Sequence, residues 1–284
     1  MIKSYYYLTK PGIIYSNVLT AVGGFFLAAK GSFNILLFLT MTFGLAFVIA
    51  SACVFNNYID REIDSKMART KKRALVRKII PARYALIYAT ILGVIGFSLL
   101  LFYTNILTAF IAFIGFFFYV VIYSIGKRGS VYGTIIGSVS GAVPPVVGYC
   151  SVTNHIDLAA FLLFLILVLW QMPHFYAIAI FRKEDYAAAS IPVLPVKKGV
   201  LHAKVQMFLY VIAFIIAASL LTVFRYTGFV YLVVMVTLGL MWLGMAIRGF
   251  RINDDKKWAR KMFFFSLVII LIFSVLLSLT AFLV

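Results

Sequence analysis

Charged residues are scarce in this 284-residue chain, and acidic ones are the scarcest. Asp, Glu, Lys and Arg make up 12% of the residues, against about a quarter in typical water-soluble domains, and 8 acidic residues stand against 26 basic ones. Hydrophobic residues account for 64% of the chain. This composition excludes an ordinary water-soluble domain and indicates an integral membrane protein. The net charge of +18 therefore does not imply a nucleic-acid partner, and we expect none.

Apolar runs of about 20 residues recur along the chain, which is the length a helix needs to cross a bilayer. None alternates apolar and polar residues as a barrel strand would. We therefore predict an all-α, polytopic bundle of nine transmembrane helices in a single domain, residues 1–284. The predicted spans are 11–29, 34–58, 82–103, 106–125, 132–150, 158–181, 204–224, 228–247 and 262–283.

Basic residues are confined almost entirely to alternate connections between these spans. Of the 26 Lys and Arg residues, only Lys30 and Arg225 fall on the side opposite the N-terminus. The positive-inside rule then predicts a cytoplasmic N-terminus and a C-terminus on the outer side. Every acidic residue except Asp157 is also predicted to lie inside. We therefore expect the chemistry at the cytoplasmic face, and we interpret the first apolar run as an uncleaved helix.

Cysteine is also rare, with two residues in the chain. Cys53 is predicted near the inner end of the second span, and Cys150 at the outer end of the fifth. A bilayer would separate them, so we predict no disulfide and interpret both as packing residues.

The second span ends in a row of polar side chains. Asn56, Asp60 and Asp64 recur every four residues, which places an amide and two carboxylates on one helix face. Unpaired carboxylates within a span cost about 2.5–3.5 kcal/mol each on insertion scales. Mg²⁺ suits such a row, because it takes one or two carboxylates and completes its shell with water and phosphate oxygens. The alternative is a solvated helix end whose acids pair with Arg61 or Arg69.

Nine basic residues follow between Arg61 and Arg83, which is more than topology requires. Arg and Lys bind phosphate oxygens, so metal-binding carboxylates beside them would form the two halves of a diphosphate site. Attraction to anionic lipid headgroups is the alternative for part of this group.

A second polar group interrupts the sixth span. Gln171 and His174 flank Pro173, and such residues are costly within a membrane unless they face a cavity or a ligand. We predict a functional role for His174, with packing inside the bundle as the alternative. His155 and His202 lie in connections, where we expect them to be solvated.

These segments resemble the UbiA superfamily of intramembrane prenyltransferases, and within it the bacterial branch that farnesylates haem. The resemblance extends over nearly the full chain. The superfamily's first aspartate-rich motif corresponds to Asn56-x3-Asp60-x3-Asp64 and Met67-x-Arg69-Thr70. The segments that resemble the haem-using branch are Lys127-Arg128, Gly141-Ala142-x-Pro144-Pro145-x-x-Gly148, Trp170-Gln171-x-Pro173-His174, Asp185-Tyr186 and Ile191-Pro192-x-Leu194-Pro195.

Two positions depart from the pattern of the family. A second aspartate-rich row, present in many members, is reduced here to Glu184-Asp185, which argues against a second carboxylate-held metal ion. Gly133 stands where many relatives of the haem-using branch have Asn.

The resemblance implies transfer of a farnesyl group from farnesyl diphosphate to a vinyl group of protoheme IX, with hydration and release of diphosphate. It implies a bacterial inner membrane protein with a cytoplasm-facing site, whose two substrates arrive through the membrane lipid. The implied metal is Mg²⁺ on Asp60 and Asp64. The implied catalytic residues are Asn56, Asp60, Asp64 and His174, and the implied substrate-binding residues are Arg69, Arg73, Tyr123, Lys127, Arg128, Trp170, Gln171, Asp185 and Tyr186.

For His174 and Tyr123, more than one role remains open. His174 could ligate the haem iron, contact a haem propionate or transfer a proton. Tyr123 belongs to an aromatic stripe, residues 116–123, that could stabilise an allylic cation or could be ordinary packing.

Two other function classes also stay open. A transporter would carry its polar residues near the bilayer midplane, whereas these are predicted at the inner ends of spans. A prenyltransferase with an aromatic or quinone-precursor acceptor would share the first motif, and only segments 170–174 and 191–195 favour haem.

Overall fold

The computed structural model describes the backbone of residues 2–283 and the side chains of residues 2–280. Over this part of the chain there is no strand, and nine helices are long and apolar enough to span a membrane. The predicted all-α class and nine spans are confirmed, although Met1 and Val284, at the limits of the predicted domain, lie outside the described residues. The helices are α1 (Pro11–Ala29), α2 (Ile35–Ile59), α3 (Ala82–Tyr103), α4 (Ile106–Gly129), α5 (Gly133–Thr153), α6 (Leu158–Phe181), α7 (Val200–Val223), α8 (Phe229–Gly249) and α9 (Asp255–Leu283).

Two helices begin earlier than their apolar runs suggested. Helix α9 begins at Asp255 rather than 262, and α7 at Val200 rather than 204. The side chain of Asp254 accepts a hydrogen bond from the Lys257 amide at 2.9 Å, which caps the first turn of α9. Hydropathy marks the part of a helix that lies in lipid, so the polar turns that extend from it are missed.

Helices α5 and α6 form the centre of the bundle. Helix α5 packs against α1, α4 and α6, and α6 also packs against α7 and α9. The contact of α1 with α5 is made backbone to backbone: a Cβ at Gly148 would lie 1.9 Å from the Ala21 carbonyl oxygen. A Cβ at Gly24 would lie 2.1 Å from the carbonyl oxygen of Pro145. Small residues thus bring the helices together as they do in other membrane bundles.

Helix α5 remains continuous through Pro144 and Pro145. The two prolines therefore do not break the helix. The irregular helix is instead α4, which contains a π-helical turn at Phe118–Ile122. The extra residue of such a turn changes which side chains share a face, and π turns are frequent at functional sites.

The connection between α2 and α3 begins with a short helix, Arg61–Lys66, and is held against the bundle by its own apolar residues. Leu75 and Ile80 are buried with residues of α2 and α3. The many basic residues of this connection are thereby kept close to the C-terminal end of α2. Cys53 and Cys150 are both buried and free, as predicted.

Candidate active site

A cavity of about 810 Å³ opens between α1, α2, α4, α5, α6 and α9. It is lined by both polar groups that the sequence singled out, the one at the C-terminal end of α2 and the Gln171–His174 turn of α6. Among charged side chains, its wall contains four cations and two carboxylates. The predicted site residues that line it are Asn56, Asp60, Asp64, Arg69, Arg73, Tyr123, Lys127, Trp170, Gln171, His174 and Tyr186.

The two carboxylates of α2 and its extension each contact a cation. Lys127 of α4 donates to Asp60 Oδ2, and both side chains are about 10% exposed. Arg73 donates to Asp64 Oδ2 at 2.5 Å. The partners considered from sequence were different: Arg61 instead donates to the Tyr58 carbonyl oxygen at 2.8 Å and lies 3.8 Å from Glu62. The acids are therefore buried and neutralised rather than solvated.

One carboxylate oxygen of these two acidic residues has no hydrogen-bond partner in the part of the chain that the structure describes. Asp60 Oδ1 is buried and has no hydrogen-bond partner among the described residues. A buried carboxylate oxygen without a donor is costly, and a hard cation would satisfy it. The site residues thus fit Mg²⁺ through Asp60 and Asp64. Within the described part of the chain no three His, Cys, Asp or Glu side chains form a cluster that could hold a metal alone, so phosphate oxygens and water would complete the shell.

Asn56 lies one helical turn before Asp60 and accepts a hydrogen bond from Lys10 Nζ at 2.6 Å. Its amide nitrogen lies 3.5 Å from Ser124 Oγ on α4. Burial lowers the pKa of Lys10 to about 8, so the amine is still mostly protonated at neutral pH. Asn56 therefore links the N-terminal segment, α2 and α4 at one end of the cavity.

Aromatic rings cover the α4 side of the cavity beside these charges. The rings of Tyr119 and Tyr123 stack with centroids 5.8 Å apart. Lys127 Nζ lies 4.9 Å from the Tyr123 ring centroid while it contacts Asp60. Electron-rich rings therefore border the site where the cations and carboxylates meet.

The α6 side of the cavity contains the second polar group. Gln171 donates to the Ser138 and Leu167 carbonyl oxygens at 3.1 and 3.0 Å, and Trp170 donates to the Ser266 carbonyl oxygen at 2.9 Å. A Cβ at Gly141 would lie 2.1 Å from Gln171 Oε1, so a larger residue on α5 would require the Gln171 amide to move. The predicted cluster on α6 is thus held by α5 and α9.

Two predicted binding residues are not brought into the cavity wall. Arg128 is exposed and donates to the Ile59 carbonyl oxygen at 2.8 Å, at the end of α2. Asp185 accepts from the Ala68 amide at 3.1 Å and lies 3.9 Å from Arg182. The Arg128 contact joins the C-terminal ends of two spans, and the Asp185 contacts lie outside the spans. Tyr186, next to Asp185, does line the cavity, and burial raises its pKa.

Sequence reasoning missed two residues of the site. Lys10 was counted only as a topology signal, although a lysine directly before Pro11 at a predicted membrane boundary could have drawn attention to it. Ser266 lies in the apolar ninth span and contacts His174 Nδ1 through its hydroxyl at 2.7 Å. A single hydroxyl in such a run carries no distinguishing pattern, so only the packing of α9 on α6 reveals it.

Comparison with known proteins places this geometry in a family context. The model of the UbiA prenyltransferase family matches residues 17–268. The chain is 55% identical to the protoheme IX farnesyltransferase of Cronobacter sakazakii over 279 residues, which cover 98% of this chain and 95% of the relative. It is 53% identical to the protoheme IX farnesyltransferase of Protochlamydia amoebophila, with 96% and 97% of the two chains covered.

Solved structures show the same fold. A structure of a digeranylgeranylglyceryl phosphate synthase superimposes with a TM-score of 0.81 at 21% identity, covering 100% of this chain and 99% of the other. A UbiA homologue from Archaeoglobus fulgidus bound to GPP and Mg²⁺ gives a TM-score of 0.69 at 15% identity, covering 97% and 99% of the two chains.

Proposed function

Because the chain belongs to the UbiA prenyltransferase family, we propose that it transfers the farnesyl group of farnesyl diphosphate to a vinyl carbon of protoheme IX. The allylic C–O bond breaks and diphosphate leaves, a C–C bond forms at the vinyl group, and water adds a hydroxyl with loss of a proton. The product is haem O. The observation that carries this proposal is the sequence identity of 53–55% to proteins named protoheme IX farnesyltransferase, over nearly their whole length.

The cationic wall of the cavity suits the leaving group. Lys10, Arg69, Arg73 and Lys127 all line it, and two of them neutralise the carboxylates of α2 and its extension. Asp60 and Asp64 would hold a metal ion, and Arg73 and Lys127 would then donate to diphosphate oxygens. These charges stabilise the negative charge that develops as the C–O bond breaks.

Mg²⁺ is the metal we propose, held by Asp60 and Asp64 with Asn56 orienting the site. The unpartnered Asp60 Oδ1 supports this assignment, and Mg²⁺ accompanies a prenyl diphosphate in the A. fulgidus homologue. When bound, the ion supplies Lewis-acid neutralisation of the diphosphate. The residues of the chain bind and orient the diphosphate and exclude water from the allylic carbon.

The stacked rings of Tyr119 and Tyr123 line the cavity beside Lys127 and Asp60, and we propose that they face the allylic carbon as it develops positive charge. An aromatic face in a desolvated site stabilises a cation by about 2 kcal/mol. Tyr123 already contacts one cation, Lys127, in the described structure. We therefore assign the wall of α4 to the farnesyl cation and the wall formed by Trp170 and His174 of α6 to the porphyrin.

The protein is an integral, multi-pass membrane protein. We propose that it lies in a bacterial inner membrane with the N-terminus cytoplasmic and the C-terminus periplasmic, which the location of 24 of the 26 basic residues on one side supports. In this orientation the carboxylates and the diphosphate face the cytoplasm. Both substrates then enter from the bilayer, where a farnesyl chain and a porphyrin partition.

The decisive experiment is to supply purified protein in lipid nanodiscs with protoheme IX, farnesyl diphosphate and Mg²⁺, and to separate the pigments by chromatography with mass detection. We expect a more hydrophobic haem whose mass has increased by one farnesyl group and one hydroxyl. Turnover of 4-hydroxybenzoate instead of protoheme IX would overturn the proposal in favour of an aromatic acceptor. A reaction that proceeds unchanged in EDTA would refute the metal assignment alone.

A further inference from the structure

The imidazole of His174 is fixed on three of its sides. Its ring stacks on Trp170, with centroids 4.8 Å apart and 26° between the planes, and its centroid lies 4.8 Å from that of Phe263. Its Nδ1 atom lies 2.7 Å from Ser266 Oγ. The ring is buried, yet it lines the large cavity. Phe175 lies edge-on to the ring, with centroids 5.5 Å apart, and no hydrogen bond to Nε2 is made by the described residues.

The Ser266 hydroxyl determines which nitrogen of His174 carries the proton. Ser266 Oγ lies 2.6 Å from the Phe263 carbonyl oxygen, an atom that can only accept. A hydroxyl has one proton, so Ser266 donates it to Phe263 and must accept a hydrogen bond at its contact with His174. Nδ1 is then the protonated nitrogen of the neutral ring. Nε2 carries a lone pair, and no described residue donates a hydrogen bond to it.

This arrangement excludes one of the three roles that the sequence left open, and iron ligation and proton transfer both remain compatible with it. A contact with a haem propionate needs a donor, and Nε2 of this tautomer is an acceptor. His174 lines the cavity, so this lone pair is available to a ligand bound there. An Nδ1–H that is hydrogen-bonded to a protein oxygen while Nε2 is free is the arrangement of histidines that bind metals, because the second bond fixes the ring and raises its basicity.

We propose that Ser266 is a positioning residue which holds His174 in the Nδ1–H tautomer, so that Nε2 ligates the iron of the porphyrin substrate. This inference rests on the proposed function and deepens it, because it states how the acceptor is held. Trp170 contributes twice, by stacking on the imidazole and by donating to the Ser266 carbonyl oxygen. Iron ligation would fix one face of the porphyrin and so hold a vinyl group at a set position in the cavity.

The test compares an iron porphyrin with a metal-free one. Haemin and protoporphyrin IX are titrated separately into the full-length protein in nanodiscs, for the wild type, Ser266→Ala and His174→Ala. Absorption and resonance Raman spectra report iron coordination. The control is Ser274→Ala, because Ser274 is a buried serine of the same helix that donates to the Ile270 carbonyl oxygen and does not contact His174.

We expect Ser266→Ala to weaken haemin binding by about 10–100-fold and to lower the iron–imidazole stretching frequency of the ferrous form. His174→Ala should abolish that band. Binding of protoporphyrin IX should be unchanged in both variants, which also shows that the pocket is folded. Ser274→Ala should resemble the wild type.

Two results would overturn the inference. Equal losses for haemin and protoporphyrin IX in Ser266→Ala would mean that Ser266 only packs the pocket. An unchanged iron spectrum in His174→Ala would mean that His174 does not ligate iron, and would favour proton transfer. Either result is distinct from failure of the proposed function, which would appear as the absence of farnesylated haem with wild-type protein.

Discussion

Lys127 on α4 contacts the carboxylate of Asp60 on α2, across 67 residues of sequence. Both side chains are buried, so each supplies the charge that the other needs where water is excluded. Asp60 is a proposed ligand of the metal ion, and Lys127 is proposed to bind the diphosphate. We infer that in the absence of substrate the site is held together by the ion pairs that substrate and metal replace.

Replacing Asp60 by Asn should abolish turnover while the protein remains inserted. The substitution removes the negative charge that binds the metal and preserves the shape of the side chain. We therefore expect the rate of haem farnesylation to fall by about 10²–10³-fold. Glu62→Gln is the control, because Glu62 lies two residues away and its side chain is 81% exposed. Product formation in membranes normalised to protein content measures the effect, and near-normal activity of the Asp60 variant would refute the metal site.

Removing Lys127 should destabilise the protein by leaving Asp60 as a buried, unpaired charge. We expect Lys127→Met to lower the free energy of unfolding by about 3–5 kcal/mol. The double variant Asp60→Asn, Lys127→Met should recover most of that loss and still be inactive. Thermal unfolding in detergent measures this cycle, with the exposed Lys183→Met as control. Additive losses in the double variant would show that the two side chains do not interact.

Lys10 should contribute to farnesyl diphosphate binding although it precedes the first span. Its amine lies 2.6 Å from Asn56 Oδ1 and lines the cavity. A hydrogen bond to a charged group contributes about 1.5–3 kcal/mol, so Lys10→Met should weaken binding about 10–100-fold. Calorimetric titration with farnesyl diphosphate and Mg²⁺ tests this. The exposed Lys3→Met serves as comparison, and a similar affinity for both variants would exclude Lys10 from the site.

Replacing His174 by Ala should affect the acceptor and leave the donor substrate unaffected. His174 is held by α6 and α9, whereas the proposed diphosphate ligands come from the N-terminal segment, α4 and the connection after α2. We expect haem farnesylation to be lost and the affinity for farnesyl diphosphate to stay within about twofold. The exposed His202→Ala should retain both properties. Parallel loss of both in the His174 variant would indicate a folding defect instead.

Gly148 should tolerate no side chain. A Cβ there would lie 1.9 Å from the Ala21 carbonyl oxygen, so α1 and α5 would have to separate. We expect Gly148→Ala to destabilise the protein by several kcal/mol, as overpacking and lost helix contact combine. Gly244→Ala is the control, because nothing lies within 4 Å of its added Cβ and alanine favours the helix. Equal melting temperatures of the two variants would contradict this account of the α1–α5 contact.

The sequence was sufficient for the architecture and for much of the site. Nine apolar runs and the one-sided distribution of Lys and Arg led to nine helices because burial in lipid depends on local composition. Asn56, Asp60 and Asp64 were identified because their spacing matches a helix turn, and Gln171 and His174 because polar residues within a span are costly. These signals depend on residues close together in the sequence, so they can be recognised without knowledge of the fold.

Only the tertiary structure decided how these groups meet. Asp60 pairs with Lys127, and Asp64 with Arg73 rather than with the nearer arginines considered from sequence, because helix packing and the course of the connection set the distances. Ser266 meets His174 across 92 residues, and no local pattern marks it. Hydropathy and periodicity report the environment of each helix alone, whereas charge pairing, tautomer and cavity shape are properties of neighbouring helices, which is why they required the folded chain.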